Sequence, residues 1–147
     1  MYVPPFDSLL RSLQTNRSAV ETASEVTIPV ALLRLLLQLA LAHSDFDEER
    51  YLRANPDVRD AVQRGEIESG RVHYIGFGYF EGRSGGMTEI DEHWYLRKYP
   101  DVAAAVQNGQ VESAVAHFNS IGAGEGRSPS ADQEDAAMQW KKGLSRK

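Results

Sequence analysis

The segment from Phe46 to Ser84 recurs as Ile90 to Ser128 at a constant offset of 44 residues, with 20 of 39 positions identical and no gap. Agreement at that level without an insertion indicates duplication, so any fold for this chain has to build one short unit twice. The matched landmarks begin with Asp47-Glu48 and Asp91-Glu92, Tyr51-Leu52-Arg53 and Tyr95-Leu96-Arg97, and Pro56-Asp57-Val58 and Pro100-Asp101-Val102. They continue through Ala61-Val62-Gln63 and Ala105-Val106-Gln107, Gly65 and Gly109, and His73 and His117, to Glu81-Gly82-Arg83-Ser84 and Glu125-Gly126-Arg127-Ser128.

Turn and cap residues divide each copy into helices. Asp47 and Asp91 are suited to cap a short helix through Tyr51-Leu52 and Tyr95-Leu96, because a short carboxylate satisfies amides that have no partner in the first turn. Pro56 and Pro100 end that helix by disfavouring helical geometry in the residue before them, and open a second one. Val58, Ala61 and Val62, with Val102, Ala105 and Val106, give this second helix one apolar face, and Gly65 and Gly109 terminate it. Ser69 and Ser113 then cap a third helix through His73-Tyr74 and His117-Phe118, stopped by Gly78 and Gly122. Three short helices per unit and no strand are expected, an all-α architecture packed with one apolar N-terminal helix.

That apolar helix is the run Ile28 to Ala42, expected to be helical from about Pro29 to His43 with Thr27 as its cap. It spans 15 residues and contains Arg34 and Gln38, whereas a bilayer crossing takes about 20 largely apolar residues. It is therefore not a membrane span. Leu32, Leu33, Leu35, Leu36, Leu37, Leu39 and Leu41 go nearly all the way round it, so most of its sides have to be covered. Two covers are open: the repeats wrap it as a central core helix, or a second copy packs on it with Leu33, Leu36, Leu37 or Leu41 at the contact. The second gives a homo-oligomer, most simply a two-fold dimer.

The expected layout is a loosely ordered polar arm over 1–25, with a turn or two of helix at Leu9, Leu10 and Leu13. The apolar helix follows within 26–45, then repeat units over 46–86 and 87–130. A polar, basic tail covers 131–147, with a terminal helix over Ala131 to Gln139. At 147 residues, one domain is the default. The first residues, Met1 to Leu13, lack the basic segment and cleavage site of a secretory signal, so a cytoplasmic location is expected. A net charge of −5 provides no global basic footprint for nucleic acid. With no cysteine in the chain, disulfides, thiol nucleophiles and cysteine-ligated zinc are excluded. No histidine lies three or four residues from another, so no metal and no cofactor is expected.

Two repeated groups are candidates for chemistry. His73 and His117 hold the same helical position, and the structural reading pairs each with a carbonyl or with Glu81 or Glu125. Arg83 and Arg127 stand on a glycine turn, where a guanidinium is able to grip a carboxylate or phosphate of a ligand, or to lock its own loop. Asp57 and Asp101 follow the helix-opening prolines and suit the positive end of the helix dipole. Tyr51, Tyr74, Phe77, Tyr79, Phe80, Trp94, Tyr95, Tyr99 and Phe118 offer a sugar-stacking platform or, at helical spacing, a core. No phosphate-binding glycine loop and no Ser-His-Asp order is present.

The string Tyr51-Leu52, Asn55-Pro56-Asp57-Val58, His73-Tyr74, Gly78 and Glu81-Gly82-Arg83 resembles a bacterial helical repeat written YLxxNPDV, HYxxxG and EGRxP. That module accompanies glycosyltransferases of surface-polysaccharide synthesis and occurs in some large secreted calcium-binding repeat proteins. The resemblance covers 46–84 and 90–129. The second copy departs from it at Tyr99 and Phe118, and Pro129 keeps the final proline where the first copy has Gly85. The resemblance implies an accessory role with no catalytic residues to carry over. The expectation is a non-catalytic interaction or assembly module of bacterial envelope-polysaccharide or surface-protein biology, partnered by itself and by another protein of the same pathway. The alternative is a binder of a small anionic ligand or glycan, or an enzyme subunit, using His73, Arg83, His117 and Arg127.

Overall fold

The computed structural model describes residues 2–86 and 89–145, and all regular structure among them is helical. One domain is expected from length, but the chain divides into two compact units, the first ending at Gly86. The physical reason is that each copy of the repeat closes an aromatic cluster of its own. Tyr51, Val58 and Tyr74 form the cluster of the first unit, with Leu41, Phe46, Leu52 and Val62 against it. Tyr95, Val102, Ala114 and Phe118 form that of the second, with Ile90, Trp94, Leu96, Tyr99 and Val106 against it.

In the first unit the repeat consists of α4 (Glu48–Ala54), α5 (Pro56–Gln63) and α6 (Gly70–His73), which runs straight into a π turn, Tyr74–Gly78. The second unit has the same elements 44 residues on: α7 (Glu92–Lys98), α8 (Pro100–Gln107), α9 (Ala114–His117) and a π turn, Phe118–Gly122. Their ends follow the expected chemistry. Asp47 accepts from the Arg50 N–H and Asp91 from the Trp94 N–H, while Ser69 and Ser113 accept from Val72 and Ala116. Pro56 and Pro100 are the first residues of α5 and α8. Gly65 and Gly109 lie just past those helices at φ 73° and 69°, a left-handed turn that glycine enters without strain. The π turns carry no such signal. In each, an N–H reaches five residues back, from Tyr79 to Tyr74 and from Ala123 to Phe118, where a straight helix would reach four.

The N-terminal segment holds α1 (Phe6–Ser12), where a turn or two of helix is expected, and a second helix that is not expected, α2 (Arg17–Thr22). Asn16 caps α2 by accepting from Ala19, Asp7 pairs with Arg17 at 2.7 Å, and Leu10 is buried. These local bonds stabilise turns that lack a long apolar stripe. The apolar helix is α3 (Val30–Ala42), and its cap is Pro29 rather than Thr27. The Pro29 carbonyl accepts from Leu32 and Leu33, which sets the first turn two residues beyond the threonine.

No residue of α3 is buried. The helix lies along the first π turn and bonds to it through its two polar residues: half-buried Gln38 donates to the Ile75 carbonyl and exposed Arg34 to that of Gly76, each at 3.3 Å. Because the Tyr79 N–H goes to Tyr74, the Ile75 carbonyl lacks the donor a straight helix would supply, and Gln38 fills that place. The Arg34 guanidinium also stands 4.0 Å above the Phe80 ring. In the second unit the matching residues are Asn119, Ser120 and Gly124, and 119 and 120 are exposed where 75 and 76 are half-buried.

Beyond the second repeat, a short 3-10 turn, Ala131–Gln133, leads into α10 (Glu134–Leu144). The terminal helix thus extends five residues past the expected end at Gln139. Glu134 pairs with Lys98, and the Lys141 stem lies against Gly126, which ties α10 to the repeat. Arg146 and Lys147 of the expected basic end lie outside the described residues. Among those described, no helix is long and apolar enough to cross a membrane.

Candidate functional site

The two repeated histidines are drawn into the core of their own units. The Tyr51 hydroxyl and His73 Nδ1 share a hydrogen bond of 2.9 Å, and Tyr95 and His117 share one of 3.1 Å. Tyr51 and Tyr95 are fully buried. Helix α4 aims Tyr51 at the end of α6, and α7 aims Tyr95 at the end of α9, so the bond fastens the first helix of each unit to the third. The expected partners, a carbonyl or Glu81 and Glu125, are replaced by these phenols. Glu81 and Glu125 are instead engaged by the neighbouring arginines. Tyrosine precedes histidine by 22 residues in both copies, a recurrence that duplication alone produces and that does not by itself pair the two side chains.

Gly78 and Gly122 admit the phenols. A β-carbon on Gly78 would collide with the Tyr51 hydroxyl, and one on Gly122 with that of Tyr95. Each glycine lies in the π turn facing the hydroxyl, with His73 Nδ1 and His117 Nδ1 3.3 Å and 3.2 Å from the same positions. Burial raises the Tyr51 pKa and pushes that of Tyr95 up to about 12. The phenols are therefore neutral over the whole neutral range, and each hydroxyl is committed to its imidazole.

The repeated arginines are likewise committed within the unit. Arg83 donates to both carboxylate oxygens of Asp57 at 2.9 and 2.8 Å, and to Glu81 at 2.9 Å. Arg127 donates to Asp101 at 3.0 and 2.7 Å and to Glu125 at 2.7 Å. The turn that permits this has Gly82 and Gly126 at φ 71° and 73°. Hydrogen bonding to Arg83 lowers the Asp57 pKa, and the bond to Arg127 holds Asp101 down at about 2. Asp57 and Asp101 therefore do more than sit at the positive end of a helix: each takes a guanidinium from 26 residues downstream.

Tyr99, where the second copy leaves the repeat pattern, has a visible purpose. Its ring lies 4.9 Å below the Arg127 guanidinium, and its hydroxyl accepts from the Ser128 N–H. The Arg127 side chain is 19% exposed against 32% for Arg83, so the second clamp is the more enclosed one. In the first copy Asn55 closes the same junction differently, donating to the Tyr51 and Ser84 carbonyls.

The candidate residues are thus grouped by unit: His73 with Tyr51, Arg83 with Asp57 and Glu81, and the same in the second copy. Each guanidinium that was to meet an anionic ligand already faces two carboxylates. Of the aromatic set, Tyr51, Tyr74, Tyr95 and Phe118 are buried, Phe80, Trp94 and Tyr99 are half-buried, and Phe77 and Tyr79 are exposed. Among the described residues no group of three or more histidines or carboxylates is placed to hold a metal ion, and no buried side-chain polar atom lacks a partner.

The leucines of α3 separate into two sets. Leu41 packs on the Tyr51–Val58–Tyr74 cluster and Leu37 is half-buried. Leu33, Leu35 and Leu36 are 46%, 50% and 51% exposed, and Val30 is 79% exposed. Of the four leucines expected at a contact, Leu33 and Leu36 are on the open side, while Leu41 serves its own unit. Leu36 lies roughly 200° round the helix from Arg34, at about 100° per residue, so the leucine face is directed away from the π turn. Comparison with known proteins finds no match for the chain among family models, curated proteins or solved structures.

Proposed function

We propose that this chain is a non-catalytic assembly module, and that the outward face of α3 is the surface through which it joins a protein partner. The observation that carries this reading is the set of leucines on a helix none of whose residues is buried. Each exposed leucine forgoes part of the roughly 1.5–3 kcal/mol that full burial supplies, and apolar patches of this kind mark interaction surfaces. The internal pairing of His73, His117, Arg83 and Arg127 supports a scaffolding role for the repeats. The resemblance of the repeat to modules beside surface-polysaccharide glycosyltransferases supports a cytoplasmic place in bacterial envelope-polysaccharide or surface-protein assembly, with itself or another protein of that pathway as partner.

A photo-crosslinking side chain at position 36, introduced in living cells, tests the reading. Protein adducts at 36, with none at the exposed control position Gln63, are expected. Equal or absent adducts at the two positions sink the claim that α3 is a contact surface.

A further inference from the structure

We infer that the last turn of α10 docks the chain on an anionic lipid surface, with Trp140 and Leu144 entering the headgroup layer and the cations around them facing acidic headgroups. This surface is separate from the α3 face, and the inference does not depend on that one.

The apolar part of the contact is local. Glu134 and the Lys141 stem hold α10 to its repeat, while Trp140 and Leu144 are 57% and 64% exposed. Four residues apart, the two share one edge of the helix, and with Gln139 and Gly143 they border one open groove. An indole beside an aliphatic side chain suits the headgroup layer, where its ring meets apolar chains and its N–H meets water.

The charged part surrounds that edge. Between 136 and 147 the sequence holds Lys141, Lys142, Arg146 and Lys147 and no Asp or Glu. Among the described residues no carboxylate pairs with Lys141 or Lys142, whereas Lys98, Arg83 and Arg127 are each in an ion pair. Trp140 to Leu144 spans about 6 Å along the helix axis, so both lysines stand within a Debye length, about 8 Å, of the apolar edge. Lys141 flanks Leu144, and Lys142 reaches round from the far side on its long stem. A cluster of four such cations on a helix is the pattern that holds acidic lipid. The chain as a whole is at −5, so an anionic surface attracts it only where cations gather.

Area and chemistry together select lipid. Two side chains expose on the order of 300 Å² at most, well short of the roughly 800 Å² per partner of a stable protein interface. A bilayer sets no such threshold, because shallow apolar insertion and charge attraction add to one another. Nucleic acid takes up cations and an aromatic ring but leaves Leu144 in water.

Flotation of the purified full-length chain with vesicles tests this. The chain is expected to float with phosphatidylcholine vesicles containing about a third phosphatidylserine and not with phosphatidylcholine alone, because each Lys or Arg near an acidic surface strengthens binding roughly fivefold. Lys141→Gln combined with Lys142→Gln is expected to weaken binding about 25-fold, and Leu144→Gln severalfold, with helical spectra unchanged. Lys142→Gln alone, expected to be about fivefold weaker, serves where the double change disturbs the Lys141 stem on Gly126. Arg53→Gln, at an exposed cation of the first unit, is expected to change nothing. In a Trp94→Phe background, where Trp140 is the only tryptophan, its emission is expected to move to shorter wavelength on the acidic vesicles. Failure to float with acidic vesicles overturns the proposal, including where the same chain captures an acidic protein or nucleic acid instead. Equal flotation with both kinds of vesicle, an equal loss in Arg53→Gln, or an unmoved Trp140 emission overturns it too.

Discussion

The Tyr51 hydroxyl occupies the space that a β-carbon on Gly78 would need, and bonds there to His73 Nδ1. Tyr95 stands in the same relation to Gly122 and His117. Each unit thus joins its first helix to its third through a phenol seated on a glycine backbone inside a π turn. The contact is polar and enclosed, and it recurs in both copies.

Gly78→Ala and Gly122→Ala are each expected to destabilise their unit by about 1–3 kcal/mol, because the added methyl displaces a buried ring with no free space beside it. Gly76→Ala is the control. A β-carbon at Gly76 meets nothing within 4 Å, and alanine favours helix, so that change is expected to be neutral or slightly stabilising. Urea unfolding of the three variants checks the contrast.

Removing the phenolic hydroxyl is expected to cost more in the second unit. His117 is buried at 8% exposure, so Tyr95→Phe leaves its Nδ1 unpaired away from water, a loss of about 1–3 kcal/mol. His73 is half-buried and water replaces the hydroxyl in Tyr51→Phe, for a loss nearer about 1 kcal/mol. Equal losses in thermal melts of the two variants would contradict this account.

The arginine clamps set the acid limb of stability. Asp101 has an ordinary pKa of 3.8 and is held at about 2 in the folded unit. A lowered folded pKa contributes stability that is present above 3.8 and is lost as the pH falls through about 2. The melting temperature of the second unit is expected to fall between those values, and Asp101→Asn is expected to flatten that fall. Asp57 is shifted the same way by Arg83, so Asp57→Asn is expected to act likewise on the first unit.

Buried tyrosines set the alkaline limb. Burial raises Tyr74 and Tyr95 from 10.0 to about 12, so their contribution is complete below pH 10 and is lost as the pH rises through about 12. Absorbance of the phenolates near the red edge of the tyrosine band is expected to show ionisation delayed into that range, with Tyr95→Phe removing part of the delayed amplitude.

Leu41 and Leu36 are expected to separate stability from assembly. Leu41→Ala removes a side chain that packs on the first aromatic cluster, and loss of part of a core contact is expected to destabilise the first unit by about 1–2 kcal/mol. Leu36→Glu, on the open side of α3, is expected to leave the unfolding midpoint of diluted protein unchanged within about 0.5 kcal/mol. Unfolding of Leu36→Glu under those conditions would place that face in the core.

The sequence by itself determined what local chemistry decides. The offset of 44 sets both copies, Asp47 and Ser69 with their counterparts start helices, Pro56 and Pro100 open the second helix, and Gly65 and Gly109 end it. Each acts on backbone groups within a turn of itself, so its effect is readable from neighbours in the chain. Tertiary structure alone decided that His73 meets Tyr51 across 22 residues, that Arg83 closes on Asp57 across 26, and that α3 serves the first unit. Those choices depend on which distant groups have room and free hydrogen-bonding capacity. The π turn is the clearest case: shifting one N–H by a residue leaves the Ile75 carbonyl for Gln38, and draws the polar residues of an apolar helix onto the turn. No residue type marks a π turn in advance, so the leucines it leaves outside could be identified only once the chain was folded.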